Sequence, residues 1–301
     1  MSFAKQISLI FVSAFLFVTA QAEIINTNLP AISYVQFQSS DPLNLEEPLT
    51  ISGQLRVPVL YDDELNMQKS VPAVVILHGS AGIDSRGEFY IKALNDAGIA
   101  TLEIDMWAAR GVTGGGDRPA LPTLTVPDAF SALKYLSENP NIDAEHIGIM
   151  GVSWGGVVTM LAATEYYATQ YGSGLTFAAH VAHYPVCWAY NVGLPGMEFH
   201  NLTGNPLLIQ IGDLDDYDEG SAPCENLIAS LSESEQAIAS INVYPHTYHA
   251  WDRLQPSVTF FDPFSHLGMG GYVEVVPNPG KAFQSRTEAV RFFQESFKLA
   301  N

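Results

Sequence analysis

A serine set among glycines, Gly151-Val152-Ser153-Trp154-Gly155-Gly156, is the arrangement in this sequence best suited to chemistry. The spacing G-x-S-x-G is weak alone, because 24 glycines in 301 residues produce such pairs by chance. Its setting is more specific. The apolar run HIGIMGVS precedes it and WGGVVTMLAATEYY follows, so the serine falls on a sharp strand-to-helix turn. Such a turn holds the serine in strained backbone geometry, and glycines flank it because a Cβ there would collide with the neighbouring strand or helix. A serine hydroxyl is a poor nucleophile at neutral pH. It needs a base within hydrogen-bond reach and an acid that fixes the base's tautomer.

Both partners occur downstream in the order serine, acid, histidine. Gly212-Asp213-Leu214-Asp215-Asp216 follows the apolar run NPLLIQI, and His246-Thr247-Tyr248-His249-Ala250-Trp251-Asp252 follows AIASINVYP. Asp215 leads over Asp213, Asp216 and Asp218, since the third position after the strand-end glycine points inward. His249 leads over His246, which sits beside Pro245 and caps a strand end. His78, His180 and His183 read as structural. Attack by Ser153 would create an oxyanion, which requires two preorganised N–H donors. One is the backbone amide of Trp154 at the head of the following helix; the other is that of Ser80 or Ala81 in His78-Gly79-Ser80-Ala81-Gly82. This chemistry calls for no cofactor. The acidic run from Asp213 to Glu219 lacks the spacing and central glycine of a calcium loop, so no metal site is assigned.

Residues so far apart meet only if the chain lays strands side by side. From Lys69 onward, short continuously apolar runs (VPAVVILHG, GIATLEIDM, HIGIMGVS, FAAHVAHYP, NPLLIQIGD, AIASINVYP) have the character of strands buried on both faces. Helices are predicted between and after them, over 87–97, 126–138, 154–168, 224–231 and 283–299. This alternation predicts an α/β fold with a mostly parallel sheet covered on both faces. Earlier, ISYVQFQSS and LTISGQLRVP alternate apolar and polar residues, which predicts an antiparallel edge at the N-terminal side. Ser153, Asp215 and His249 then follow three different strands at one edge, where open α/β sheets place their sites. Two stretches, 187–205 and 252–281, read as irregular loops walling a cleft.

Composition narrows the function classes. With 13 Lys+Arg against 32 Asp+Glu, the net charge is -19, unsuited to gripping nucleic acid and repelled by anionic membranes. Residues 1–22 read as a secretory leader: Lys5, an apolar run from Ile7 to Ala20, then Ala20-Gln21-Ala22 as a small-x-small cleavage site. That run falls short of the roughly 20 residues that span a bilayer. The expectation is cleavage after Ala22, a single domain over 23–301, a periplasmic or secreted product and no stable membrane anchor. In an oxidising compartment the two cysteines, Cys187 and Cys224, are expected to form a disulfide. The sequence does not indicate an oligomeric state.

The motifs LHGSAG at 77–82, IDMWAARG at 104–111, GVSWGG at 151–156, GDLDD at 212–216 and YHAWD at 248–252 resemble the dienelactone hydrolase family of α/β-hydrolases, from about Leu49 to Leu299. The resemblance implies an α/β-hydrolase sheet and the triad Ser153, Asp215 and His249. It also implies carboxylate-binding arginines, for which Arg110 and Arg253 stand near the matching places. The chain departs from the family pattern in carrying Ser153 where those enzymes use cysteine, and His78 where they carry a glutamate. Trp107 and Tyr217, near strand ends, are candidates for lining a substrate pocket. The resulting expectation is a secreted serine carboxylesterase acting on small or medium esters. A serine peptidase or acyltransferase of the same fold, or a non-catalytic binding protein, stands as the alternative.

Overall fold

The computed structural model describes residues 30–62 and 67–299; the expected leader lies outside the described residues. Eight strands form the central sheet: β1 (Ala31–Ser39), β2 (Leu49–Val57), β3 (Val71–Leu77), β4 (Ala100–Asp105), β5 (Ile142–Val152), β6 (His180–His183), β7 (Leu207–Leu214) and β8 (Ala239–Tyr248). Their spatial order is β1-β2-β4-β3-β5-β6-β7-β8. The β1–β2 and β2–β4 pairs are antiparallel and the rest are parallel, so the expected antiparallel edge is present.

Burial on both faces explains why the central strands are apolar throughout. Every residue of β3 is buried, with Ala73, Val75 and Leu77 facing one layer and Val74 and Ile76 the other. The first layer contains α2 (Val126–Ser137) and α3 (Trp154–Ala162). The second contains α1 (Ser85–Asp96) and the C-terminal helix Pro279–Ser296, whose Ala289 and Phe293 pack with Tyr90, Ile91 and Leu94. Gly148 of β5 admits that helix closely, because a Cβ there would come within 2.6 Å of the Phe293 ring.

Two expectations need correction. The helix predicted over 154–168 breaks at Thr164, whose backbone is extended (φ -91, ψ 144), before α4 (Glu165–Tyr171) begins. The Thr164 hydroxyl bonds the Leu161 carbonyl at 2.8 Å, and the 201–203 segment pairs with the freed backbone through Glu165 N to Asn201 O and Thr203 N to Ala163 O. The local side-chain bond and the tertiary pairing together outcompete helical continuation. The stretch 252–281 is not irregular throughout: it contains an antiparallel hairpin, β9 (Val258–Asp262) with β10 (Gly271–Val275), and the start of the last helix. Among the described residues no helix is long and apolar enough to cross a membrane.

Candidate active site

The parallel strands end in register, pairing Leu77 with Gly151, Val152 with His183, and Tyr248 with Leu214. Their carboxyl ends therefore form one edge of the sheet. Ser153 sits at the β5–α3 junction with φ 52 and ψ -112, a left-handed conformation that L-residues avoid. Close packing imposes it: a Cβ on Gly151 would lie 2.1 Å from the Gly155 carbonyl, and one on Gly155 would lie 2.4 Å from the Leu77 carbonyl. The Ser153 amide donates to His183 O at 2.9 Å, which pins the turn to β6.

His249 follows β8. Its Nε2 lies 3.0 Å from Ser153 Oγ and its Nδ1 2.8 Å from Asp215 Oδ2. All three residues are buried. Asp215 Oδ1 accepts the Tyr217 amide at 2.9 Å, which fixes the carboxylate plane. The rings of Tyr184 and Tyr217 contact the imidazole at centroid distances of 4.6 and 4.4 Å and restrict its rotation.

The competing acids hold backbone instead. Asp213 accepts Thr247 N, Asp216 accepts Glu274 N, and Asp218 accepts Cys187 N and Trp188 N at 2.8 and 2.7 Å. Burial, then the neighbouring Asp215 charge, pushes the Asp218 carboxyl above the usual carboxylate range. His246 is exposed with a positive φ and stands at an irregularity in the β7–β8 pairing. His78 is buried and its pKa is lowered, chiefly by desolvation. Its Nε2 accepts the Met106 amide, so the proton sits on Nδ1, which donates to Gly79 O. His180 and His183 are held down to about 4 by burial and are neutral.

Two lobes open from Ser153 and share Ser80, Ser153 and Tyr217. The apolar lobe, about 90 Å³, is walled by Leu121, Val157, Val186, Trp188, Leu194 and Met197, with Trp154 and Phe264. One water needs roughly 10–15 Å³ on the same measure, so this lobe has room for a short acyl chain. The other lobe, about 60 Å³, is lined by Ala81, His249 and two guanidinium groups, Arg86 and Arg253. Arg253 Nε is buried without a hydrogen-bond partner, whereas Arg86 is held by Asp84 at 2.7 Å.

The structure corrects two of the expected pocket residues. Arg110 lines neither lobe. Its Nη1 bonds Asp128 Oδ2 at 2.7 Å and Met106 O at 2.9 Å, and its Nη2 bonds Leu124 O at 2.9 Å and Asp128 Oδ1 at 3.2 Å. A buried carboxylate and two carbonyls occupy both terminal nitrogens of this guanidinium, away from either lobe. Trp107 is buried behind the site, where its indole N–H donates to Ser80 O at 3.3 Å and its ring meets Trp154 edge-on. It supports the wall without forming it. Tyr217 does line the cleft.

Arg118 was not legible as a site residue. It lines the apolar lobe, with its guanidinium 6.0 Å from the Trp154 ring centroid and bonded to both Asp262 oxygens. No spacing signals it, because the loop bearing it returns to the sheet edge only in three dimensions. Cys187 and Cys224 form the expected disulfide. With Asp218 they make the one cluster of potential metal ligands among the described residues, and the bond between them removes both thiolates.

A mostly parallel eight-stranded sheet with a serine turn, an acid and a histidine at its carboxyl edge defines an α/β hydrolase. The family model described as "Dienelactone hydrolase family" matches residues 64–274, and the chain belongs to that family. Similar solved structures include a dienelactone hydrolase from Anabaena variabilis, 20% identical at TM-score 0.57, covering 89% of this chain and 98% of that one. Thermogutta terrifontis esterase 2 phosphorylated by paraoxon is 13% identical at TM-score 0.62, covering 91% and 97%. The dienelactone hydrolase-like promiscuous phosphotriesterase P91 from metagenomic libraries is 16% identical at TM-score 0.55, covering 88% and 98%. At such identities the likeness is one of fold. No curated protein matched the sequence.

Proposed function

We propose that the chain is a serine hydrolase of small or medium carboxylic esters, working through an acyl-enzyme. The observation that carries this reading is the unbroken chain Ser153 Oγ, His249 Nε2, His249 Nδ1, Asp215 Oδ2, with separations of 3.0 and 2.8 Å between residues. Ser153 Oγ bonds to the ester carbonyl carbon as His249 Nε2 takes its proton, and Asp215 stabilises the imidazolium that forms. The carbonyl oxygen becomes an oxyanion. As the first residue of α3, Trp154 has an amide with no intrahelical partner. That amide and one from the Ser80–Ala81 turn receive the oxyanion.

Collapse of the tetrahedral adduct breaks the bond to the alkoxy oxygen, which takes the proton from His249 and leaves as alcohol. Water, deprotonated by the same imidazole, then attacks the acyl carbon and releases the acid and Ser153. The acyl chain occupies the apolar lobe. A carboxylate on the substrate would pair with Arg253, whose buried Nε lacks a partner. An oxidising compartment, reached through a leader at residues 1–22, fits the disulfide.

Esterase 2 of Thermogutta terrifontis was captured phosphorylated by paraoxon. An organophosphate of that kind is the direct probe here. Intact-mass and peptide analysis after paraoxon treatment should place one phosphoryl adduct on Ser153, with none in the Ser153→Ala protein. Folded protein that stays unmodified while hydrolysing no p-nitrophenyl acetate refutes the proposal.

A further inference from the structure

Resting on the ester-hydrolase reading, we propose that the mouth of the cleft docks onto aggregated neutral acyl esters, an emulsion or micelle from which single chains enter the apolar lobe. The β9–β10 hairpin and its 263–270 turn stand over the acid loop: His266 N donates to Asp216 O at 2.8 Å and Leu267 N to Tyr217 O at 3.0 Å. Phe261, Met269 and Tyr272 are 61%, 79% and 69% exposed, and Phe260, Phe264 and Leu267 are also exposed. Phe261 and Tyr272 pair across the hairpin on the face opposite Phe260, which lines the second lobe. Phe264 in the turn is exposed and also lines the apolar lobe, so the exposed apolar turn reaches the cleft at Phe264. A monomer seldom keeps such a contiguous apolar face without a use for it.

Charge on the page argues for the kind of partner. In a chain of net charge -19, the only Asp, Glu, Lys or Arg between Leu254 and Val273 is Asp262, which is buried against Arg118. The exposed acids at the border, Glu274 two residues from Tyr272 and Glu219 against His266, would repel an anionic surface and leave a neutral one. His266 is engaged by Glu219. A strongly acidic protein approaches a neutral acyl surface without repulsion.

Two measurements on the full chain test this. Tributyrin hydrolysis is followed from below the ester's solubility limit into emulsion, and the Ser153→Ala protein is sedimented with the same emulsion to read adsorption without turnover. The rate should step upward as emulsion appears, and Ser153→Ala should co-sediment with the droplets. The variant F261S/M269S/Y272S, altered only at exposed positions, should lose the step and adsorb at least about tenfold more weakly, since each side chain forfeits apolar burial. Its hydrolysis of monomeric p-nitrophenyl acetate should match the parent's.

A rate that saturates below the solubility limit, or adsorption unchanged in the triple variant, overturns the proposal. So does a dimer in analytical ultracentrifugation that the triple variant dissociates, because the face is then a contact between copies. If the ester-hydrolase reading itself fails, p-nitrophenyl acetate is not cleaved at all, while adsorption of the Ser153→Ala protein still decides whether the surface docks.

Discussion

The Arg118 guanidinium meets both carboxylate oxygens of Asp262, at 3.1 and 2.9 Å, and so ties the loop after β4 to the end of strand β9. Asp262 also accepts the Tyr217 hydroxyl at 3.0 Å, joining the wall of the cleft to the ring that confines His249. Both partners are largely out of water, at 13% and 3% side-chain exposure. Replacing Asp262 by Ala therefore strands a charge and a hydroxyl. Urea denaturation should show a loss of about 3 kcal/mol, the scale for breaking a buried pair from one side. The double variant D262A/R118M should recover part of that loss, and KM for apolar esters should rise in the single variant. A double variant no more stable than D262A would show that the pair is not the cause.

Ser153 carries strain as well as chemistry. At φ 52 and ψ -112 the residue stands where glycine is at ease. Ser153→Ala should cut kcat by about 10⁴ or more and leave the melting temperature near that of the parent, since alanine is equally strained. Ser153→Gly should be as inactive yet more stable, by about 1 kcal/mol, from relief of the backbone. Asp215→Asn should lower kcat by about 10⁴ while KM changes little, because it disturbs the His249 tautomer and not the lobes. Steady-state kinetics paired with calorimetry separates these outcomes. A Ser153→Gly protein less stable than Ser153→Ala would contradict the strain argument.

The parts of the site that could be read from sequence are those whose chemistry is local. Ser153 and Asp215 follow buried strands, whereas His249 follows β8, which as the edge strand is half-exposed and not buried on both faces as its apolar residues suggest. Parallel strands must still end together, so the meeting of the three is dictated by order along the chain. The choice among four aspartates rested on which position points inward, and the other three prove to be spent on backbone amides. Arg110 shows where local reasoning stops. It lies five residues beyond the end of β4, as a site residue would, but a carboxylate eighteen positions away on α2 claims it. The β9–β10 hairpin was hidden because Pro256, Pro263 and the glycines at 268, 270 and 271 make the region read as loop, and its pairing is recognised only across the turn.

Glu103 on β4 is a half-buried acid outside the triad. A Cβ on Gly87 would fall 1.8 Å from its Oε1, so the helix α1 covers it closely. Burial pushes its pKa up to about 7, against the opposing pull of Arg56. The folded state thus holds a proton that the unfolded chain, near 4.5, releases. Its contribution is complete below pH about 4.5 and is lost as pH rises through about 7, by up to ~3 kcal/mol. Denaturation midpoints measured at pH 5 and pH 8 should differ in that direction. Glu103→Gln should flatten the difference while leaving p-nitrophenyl acetate kinetics at pH 7.5 unchanged. An undiminished slope in Glu103→Gln would assign it to another group.

The Cys187–Cys224 disulfide closes 37 residues of sequence separation, and its effect should reach the chemistry. Cys187 and Trp188 both donate their amides to Asp218, three residues beyond Asp215, while Trp188 walls the apolar lobe. The bridge therefore fastens the acid loop and the lobe wall to α5 (Ala222–Ala229) together. In the chain-entropy picture its loss should cost about 3–4 kcal/mol. A C187S/C224S protein, or the parent after reduction, should melt several degrees lower. KM should rise more than kcat falls, because the wall loosens while Ser153 and His249 stay on their strand ends. Were kcat to collapse with KM unchanged, the bridge would be acting through Asp215 instead of through Trp188.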